Sequence, residues 1–348
     1  MPALGAVGPL FQQKIEELGE QMVNRREVAQ RFIQAQIEKR TDIRAAWVVG
    51  SVARGEDTES SDIDIVLVVA GVGGDSKVTR GGIDAWLDGI YIEAGLAPET
   101  EYTDLAAILQ HPVKATHLND ALILYDPSGR FTELQEAVRA VFMQPQWLAK
   151  RLTYWLAEAR IHVANLQQAI AADEPLAICQ HPGLITYALI TIPLLRIGIT
   201  PSSSRSLLQL SAVSASLQAR IVEFEGASTI NSEAVLALEP LFRAWMALVD
   251  PGQWGSLGEY FARKTVWMAR QGFAQAAVHA MWPPVSGTAQ ACSQDKTKTI
   301  PATALAARWL SALHWDEPKV LETKAAMAIA LLHEMETLVT DVVASTAL

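Results

Sequence analysis

Two aspartates one residue apart, Asp62 and Asp64, open the apolar run Ile65 Val66 Leu67 Val68 Val69. On a strand such a pair points to one face, with backbones roughly 6 to 7 Å apart. Two charges about 4 Å apart repel by about 4 kcal/mol at an effective dielectric near 20, so the pair calls for a raised pKa or a cation. Mg²⁺ fits that need, because it takes carboxylate and phosphate oxygens together and keeps some of its waters. Upstream, the apolar run Arg44 Ala45 Ala46 Trp47 Val48 Val49 ends in Gly50 and Ser51. Gly50 lets the backbone approach a ligand closely, and Ser51 offers a hydroxyl and an amide to an anion. The implied chemistry is phosphate held beside metal.

The whole stretch from Gly50 to Asp64 reads GSVARGEDTESSDID, with ten residues between Ser51 and Asp62. It resembles the signature of the polymerase-beta-like nucleotidyltransferase superfamily, a Gly-Ser followed about ten residues later by Asp-x-Asp, and Arg54 and Gly55 extend the likeness. The resemblance implies that Asp62 and Asp64 hold two Mg²⁺ ions and that Ser51 binds a nucleotide phosphate. Gly50, Arg54 and Ser61 join Ser51 as expected nucleotide contacts. The implied reaction moves a nucleoside monophosphate from an NTP, ATP first, to a hydroxyl group.

A third acid on a neighbouring strand usually completes such a site or takes a proton from the attacking hydroxyl. Ile83 to Leu87 and Ile90 to Ala94 read as two strands joined by Asp88-Gly89, a strong hairpin signal. In the second, Glu93 alternates with Ile90 and Ile92, so it faces the site if the isoleucines are core. Glu93 is the expected third ligand, partly by resemblance, with Asp84 and Asp88 as alternates.

The elements that must hold these residues divide into two regions, a catalytic domain over 1–143 and an α-helical bundle over 144–348. Phe11 to Arg40 has the spacing of a helix leading into the first strand. The order helix, strand, Gly-Ser helix, strand, hairpin predicts an α+β domain, a mixed sheet with helices on one face. A helix over Thr103 to Gln110, a short strand over Ala121 to Tyr125 and a helix over Glu133 to Phe142 follow. Beyond Gln146 strand signals nearly vanish. Helices are expected over Gln146 to Ala172, Leu184 to Ile197, Ser206 to Glu225, Ser232 to Val249, Gly255 to Met281, Pro301 to His314 and Pro318 to Ala344. Ser286 to Thr299, the least apolar stretch, reads as a mobile loop.

A nucleotidyltransferase domain followed by a helical bundle resembles, in architecture alone, the antibiotic nucleotidyltransferases of the aminoglycoside type. That implies a bundle that receives a small-molecule acceptor. Lys264, one helical turn from Tyr260, is the expected triphosphate contact in this region. Glu158 is a weaker candidate for the base that takes the acceptor proton. Eight of the ten tryptophans fall in this half, where core packing is the more ordinary use of the residue.

The formal charge is −10, from 38 acids and 28 bases. Residues 1–143 carry 22 acids against 13 bases, and the remainder 16 against 15, so nearly all the excess lies in the half with the acidic pair. Without a long Lys/Arg run, this disfavours a polynucleotide partner and favours a small-molecule acceptor. No apolar stretch reaches the roughly 20 residues of a membrane span, and the N-terminus lacks a basic region before its apolar residues. A cytoplasmic protein without a membrane partner is the expectation. Cys179 and Cys292 stand far apart, without histidines at zinc-ligand spacing. Two alternatives stay open: a nucleotide-binding regulatory or antitoxin-like module, and a transferase acting on protein side chains.

Overall fold

The computed structural model describes residues 24–71, 82–248 and 251–345, without the side chains of 251–257. The expected helix start at Phe11 and the stretch from Val72 to Gly81 lie outside the described residues. Two compact units are present, and their division falls between Arg151 and Leu152.

The first unit is built on five strands: β1 (Ile43–Val49), β2 (Ile63–Val69), β3 (Ile83–Leu87), β4 (Ile90–Pro98) and β5 (Leu122–Tyr125). Their order is β3-β4-β2-β1-β5. β2 and β4 run parallel and the other neighbours antiparallel, which makes the sheet mixed. Every β1 residue except Arg44 is buried, because a central strand is covered on both sides. Asp88 and Gly89 both adopt positive φ, 52° and 77°, as a two-residue hairpin whose twist matches its strands requires.

Helix α1 (Arg25–Lys39) starts at Asn24, whose side chain accepts from the amides of Arg26 and Glu27. Its Val28, Ala29, Phe32 and Ile33 pack on Ala46, Val48, Ile63, Ile65 and Ile92. The opposite face of β1, with Ala45, Trp47 and Val49, packs on three further helices, α3 (Leu105–Gln110), α4 (Lys114–Asp120) and α5 (Arg130–Val141). Helices therefore cover both faces of the sheet, not one. Strict alternation along β1 forces this, since apolar residues at odd and even positions each need a cover. The short helix α2 (Gly50–Arg54) joins β1 to the loop before β2.

The start of the long helix α6 (Pro145–Ala171) stays with the sheet unit. Arg151, wholly buried there, donates to the carbonyls of Leu109 and Phe142.

The second unit is helical: the remainder of α6, then α7 (Pro175–Cys179), α8 (Pro182–Arg196), α9 (Ser206–Val213), α10 (Ala215–Phe224), α11 (Ser232–Met246), α12 (Pro251–Arg270), α13 (Ala274–Ser293), α14 (Lys296–Ala312) and α15 (Pro318–Ala344). Ser214 breaks the helix expected over Ser206 to Glu225, its hydroxyl capping the amide of Leu217. The loop expected over Ser286 to Thr299 is mostly helix, divided only at Gln294 and Asp295. Its polarity misleads because the small side chains are used inside: buried Ser286 donates to the Cys179 carbonyl and accepts from the Gly183 amide. At Gly183 a β-carbon would strike the backbone of Trp282 and Pro283, so small residues let these helices approach. Trp245, Trp282, Trp309 and Trp315 are fully buried core residues. The apolar stretch Pro175–Arg196 is long enough to cross a membrane by composition, but 83% of its window is buried within the fold.

Candidate metal and nucleotide site

β1 delivers its chain to the site at Val49, which pairs with Asp64 on β2. Gly50 follows at once, with φ +70°, and opens α2. A β-carbon built on Gly50 would overlap the Asp64 carboxylate oxygen Oδ2. A glycine is needed here twice over, for the left-handed backbone and for the close approach. Gly55, φ +69°, ends the single turn, and Glu56 N donates to Ser51 O at 2.9 Å.

The chain then loops through Thr58–Ser61 to Asp62. Thr58 N donates to Ser61 Oγ at 2.8 Å, and Ser61 N to Thr58 O at 2.9 Å. Arg25, buried at the start of α1, clamps this loop from below. Its Nε donates to Ser61 O at 3.0 Å and Nη2 to Glu59 O at 2.7 Å, with Asp57 at 3.7 Å from Nη1. Asp62 thus enters β2 from a loop braced at several points.

Asp64 lies directly beside Glu93 in the parallel β2–β4 register. Ile63 and Ile65 on one strand, and Ile92 and Ala94 on the other, point into the core under α1, so the acids face away from it. The result is one group in which Asp62, Asp64 and Glu93 each offer a carboxylate oxygen, all within 4.8 Å of one another. Glu93 keeps an exposed edge, but partial desolvation, followed by the Asp62 and Asp84 carboxylates, raises its pKa above the usual range. Ion-free crowding of this kind disfavours three simultaneous charges. The donor set is all oxygen and all carboxylate, which suits a hard divalent cation such as Mg²⁺ and not a thiolate- or imidazole-preferring ion.

Two neighbours flank Glu93: Asp84, an expected alternate for the third acid, and Tyr91, which spacing alone did not mark as a site residue. Asp84 pairs with Glu93 across the β3–β4 ladder. Tyr91, two residues before Glu93 on the same face, is buried under Trp86, with ring centroids 5.4 Å apart. Burial first, then Asp84, Glu93 and Asp62, push its phenol pKa upward, so it stays a protonated donor among acids.

The other expected residues are distributed differently. Ser51 is half-buried in the first turn of α2. Ser61 is buried, and its hydroxyl is engaged within its own loop by Thr58. Arg54 pairs with Glu56 at 3.0 Å and Asp120 at 3.5 Å, while its Nη2 is buried without a hydrogen-bond partner. Lys264 belongs to the helical unit, buried, donating to the Tyr260 hydroxyl and sitting 4.7 Å from that ring's centroid. The alternate acid Asp88 occupies the hairpin turn and pairs with Arg31, away from the role of ligand.

No curated protein matches this chain. A crystal structure of a nucleotidyltransferase-like protein from Exiguobacterium sibiricum 255-15 overlaps it with a TM-score of 0.30 at 10% identity, over 82% of this chain and 78% of that one, a likeness too distant to bear on function. Residues 32–90, which run from α1 through Gly50, Ser51, Asp62 and Asp64 to the start of β4, match the family described as "Polymerase beta, Nucleotidyltransferase", and this segment of the chain is therefore nucleotidyltransferase-like.

Proposed function

We propose that the protein is a Mg²⁺-dependent nucleotidyltransferase that moves a nucleoside monophosphate, AMP from ATP in the first instance, to a hydroxyl of a small molecule such as an aminoglycoside-type antibiotic or a metabolite. The observation that carries this reading is the convergence of Asp62, Asp64 and Glu93 within 4.8 Å, beside the Gly50–Ser51 turn. The family match over residues 32–90 supports it.

In this reading Asp62, Asp64 and Glu93 hold the divalent ions, which when bound supply charge neutralisation to the polyphosphate. The remaining work belongs to the chain. Gly50 keeps its backbone clear of Asp64, and the Ser51 hydroxyl and amide take phosphate oxygens. Arg54 brings one buried donor without a partner, which a phosphate oxygen would satisfy. Asp84 lies across the ladder from Glu93 and adds to the negative charge around it, which a divalent ion would offset. Lys264, expected as a triphosphate contact, belongs to the helical unit, where it is buried and donates to the Tyr260 hydroxyl. The acidic balance of the sequence favours a small-molecule acceptor over a polynucleotide.

The test incubates the full chain with ATP labelled at the α-phosphate, Mg²⁺ and a panel of aminoglycosides and polyhydroxylated metabolites. A labelled acceptor product, absent with Asp64→Asn, is the expected result. Labelled protein instead of labelled small molecule would move the assignment to side-chain modification. ATP binding with no transfer to any acceptor, protein included, would overturn it.

A further inference from the structure

We propose that His162 and His181 form a binding site for a divalent transition-metal ion of the Zn²⁺ class, each through its Nδ1, built wholly within the helical unit. His162 lies on α6, and His181 is the residue immediately before α8. Their two Nδ1 atoms face each other at 3.3 Å. Two ligands of a tetrahedral zinc ion, each about 2.0 to 2.1 Å from the metal, stand about 3.3 Å apart. The rings are tilted by 37° with centroids 5.5 Å apart, so they converge at one edge and do not stack.

The surroundings favour ligation. His181 is buried and the His162 side chain is 16% exposed, so both imidazoles are largely withdrawn from competing bulk water. Burial lowers the pKa of both imidazoles, His181 to about 4, so both are neutral near pH 7 and each offers a lone pair. Glu158, one turn earlier on α6, places Oε2 3.9 Å from the other nitrogen, Nε2, of His162. With the Nε2 proton toward that carboxylate, directly or through a water, the Nδ1 lone pair of His162 is directed toward His181. The same carboxylate–imidazole–metal order recurs in zinc proteins. At His181 the backbone is fixed, its carbonyl accepting from the amides of Leu184 and Ile185 at 3.1 and 2.9 Å. Imidazole donors select Zn²⁺, Cu²⁺ or Ni²⁺ over Mg²⁺, in contrast to the all-carboxylate trio.

The test uses the full chain carrying Asp62→Asn, Asp64→Asn and Glu93→Gln, so that the acidic cluster does not take the ion. Zn²⁺ is titrated against a competing chelator, and the imidazole nitrogens are followed by ¹⁵N NMR. One bound equivalent, shifted Nδ1 resonances of both residues, no competition by Mg²⁺, and affinity lowered about tenfold or more by His162→Gln or His181→Gln are expected. Unchanged Zn²⁺ affinity in both glutamine variants would overturn the proposal. So would Nδ1 resonances that ignore Zn²⁺ while one Nδ1–H persists, the signature of a plain hydrogen bond between the rings. Should a glutamine variant fail to fold, the NMR titration with both histidines present decides.

Discussion

The backbone of Gly50 and the carboxylate of Asp64 occupy adjoining space with no allowance for a single added carbon. Gly50→Ala therefore both strains a residue at φ +70° and displaces the Asp64 carboxylate. The expected outcome is a loss of about 1 kcal/mol or more in stability from backbone strain. A shift of a ligand by about 1 Å lowers turnover by about 100-fold. Thermal unfolding and nucleotidyl transfer assays measure the two effects, and full activity in the alanine variant would contradict the geometry described.

Asp64→Asn should abolish transfer and divalent binding at the trio while leaving the fold intact. Removing one of several crowded like charges relieves repulsion of about 3 kcal/mol per pair at an effective dielectric near 20, before solvent screening reduces it. The melting temperature in EDTA should hold steady or rise. A sharp fall would mean that the carboxylate supports the fold directly.

The raised pKa of Glu93 makes two pH predictions of opposite sign. In the metal-free protein, the folded state holds the Glu93 proton more tightly than the unfolded chain does. Its contribution to stability is therefore greatest below the ordinary glutamate range and is lost as pH rises through the raised folded value. Glu93→Gln should flatten that slope, which melting curves across pH would show. Divalent affinity should run the other way, weakening as pH falls, from a higher pH onward than an ordinary glutamate would cause.

Arg25 braces the loop that carries Asp62, through Ser61 O, Glu59 O and Asp57. Arg25→Met removes those bonds and leaves two carbonyls without their donor. About 2 kcal/mol of stability should be lost, with reduced transfer from a less well fixed Asp62. Wild-type values for both quantities would show that the loop is held by its own Thr58–Ser61 bonds.

Inside the helical unit, Ser206 Oγ, His279 and Glu225 form a chain with no solvent exposure, at 2.9 Å to Nε2 and 2.7 Å from Nδ1 to Oε1. It ties the start of α9 and the end of α10 to α13. His279→Leu strands the Glu225 carboxylate in a closed interior and should cost about 3 to 5 kcal/mol. The double variant His279→Leu/Glu225→Leu should recover part of that loss. Chemical denaturation distinguishes the two, and equal losses in both would argue that packing, and not the stranded charge, sets the cost.

Much of the local structure was written in short-range pattern. The Asp88-Gly89 hairpin, the alternation that turns Glu93 away from Ile90 and Ile92, and the final helix Pro318–Ala344 all follow from residues within a few positions of one another. The Gly-Ser and Asp-x-Asp spacing likewise identified the two carboxylates that converge. The short helix Lys114–Asp120 had no distinct signal, being seven residues with a weak period, and it forms because Ala115 and Leu118 find the far face of β1.

What the sequence determined by itself was which side chains could share a face, because strand and helix periods are properties of the backbone. Tertiary structure alone decided which faces meet. The parallel register that sets Asp64 beside Glu93 is one such outcome. Another is the reach of Arg25 to a loop more than thirty residues ahead, and a third is the approach of His162 to His181 across two helices. These are long-range contacts fixed by packing of the whole core, where burial of apolar area elsewhere carries polar groups into positions that no local pattern encodes.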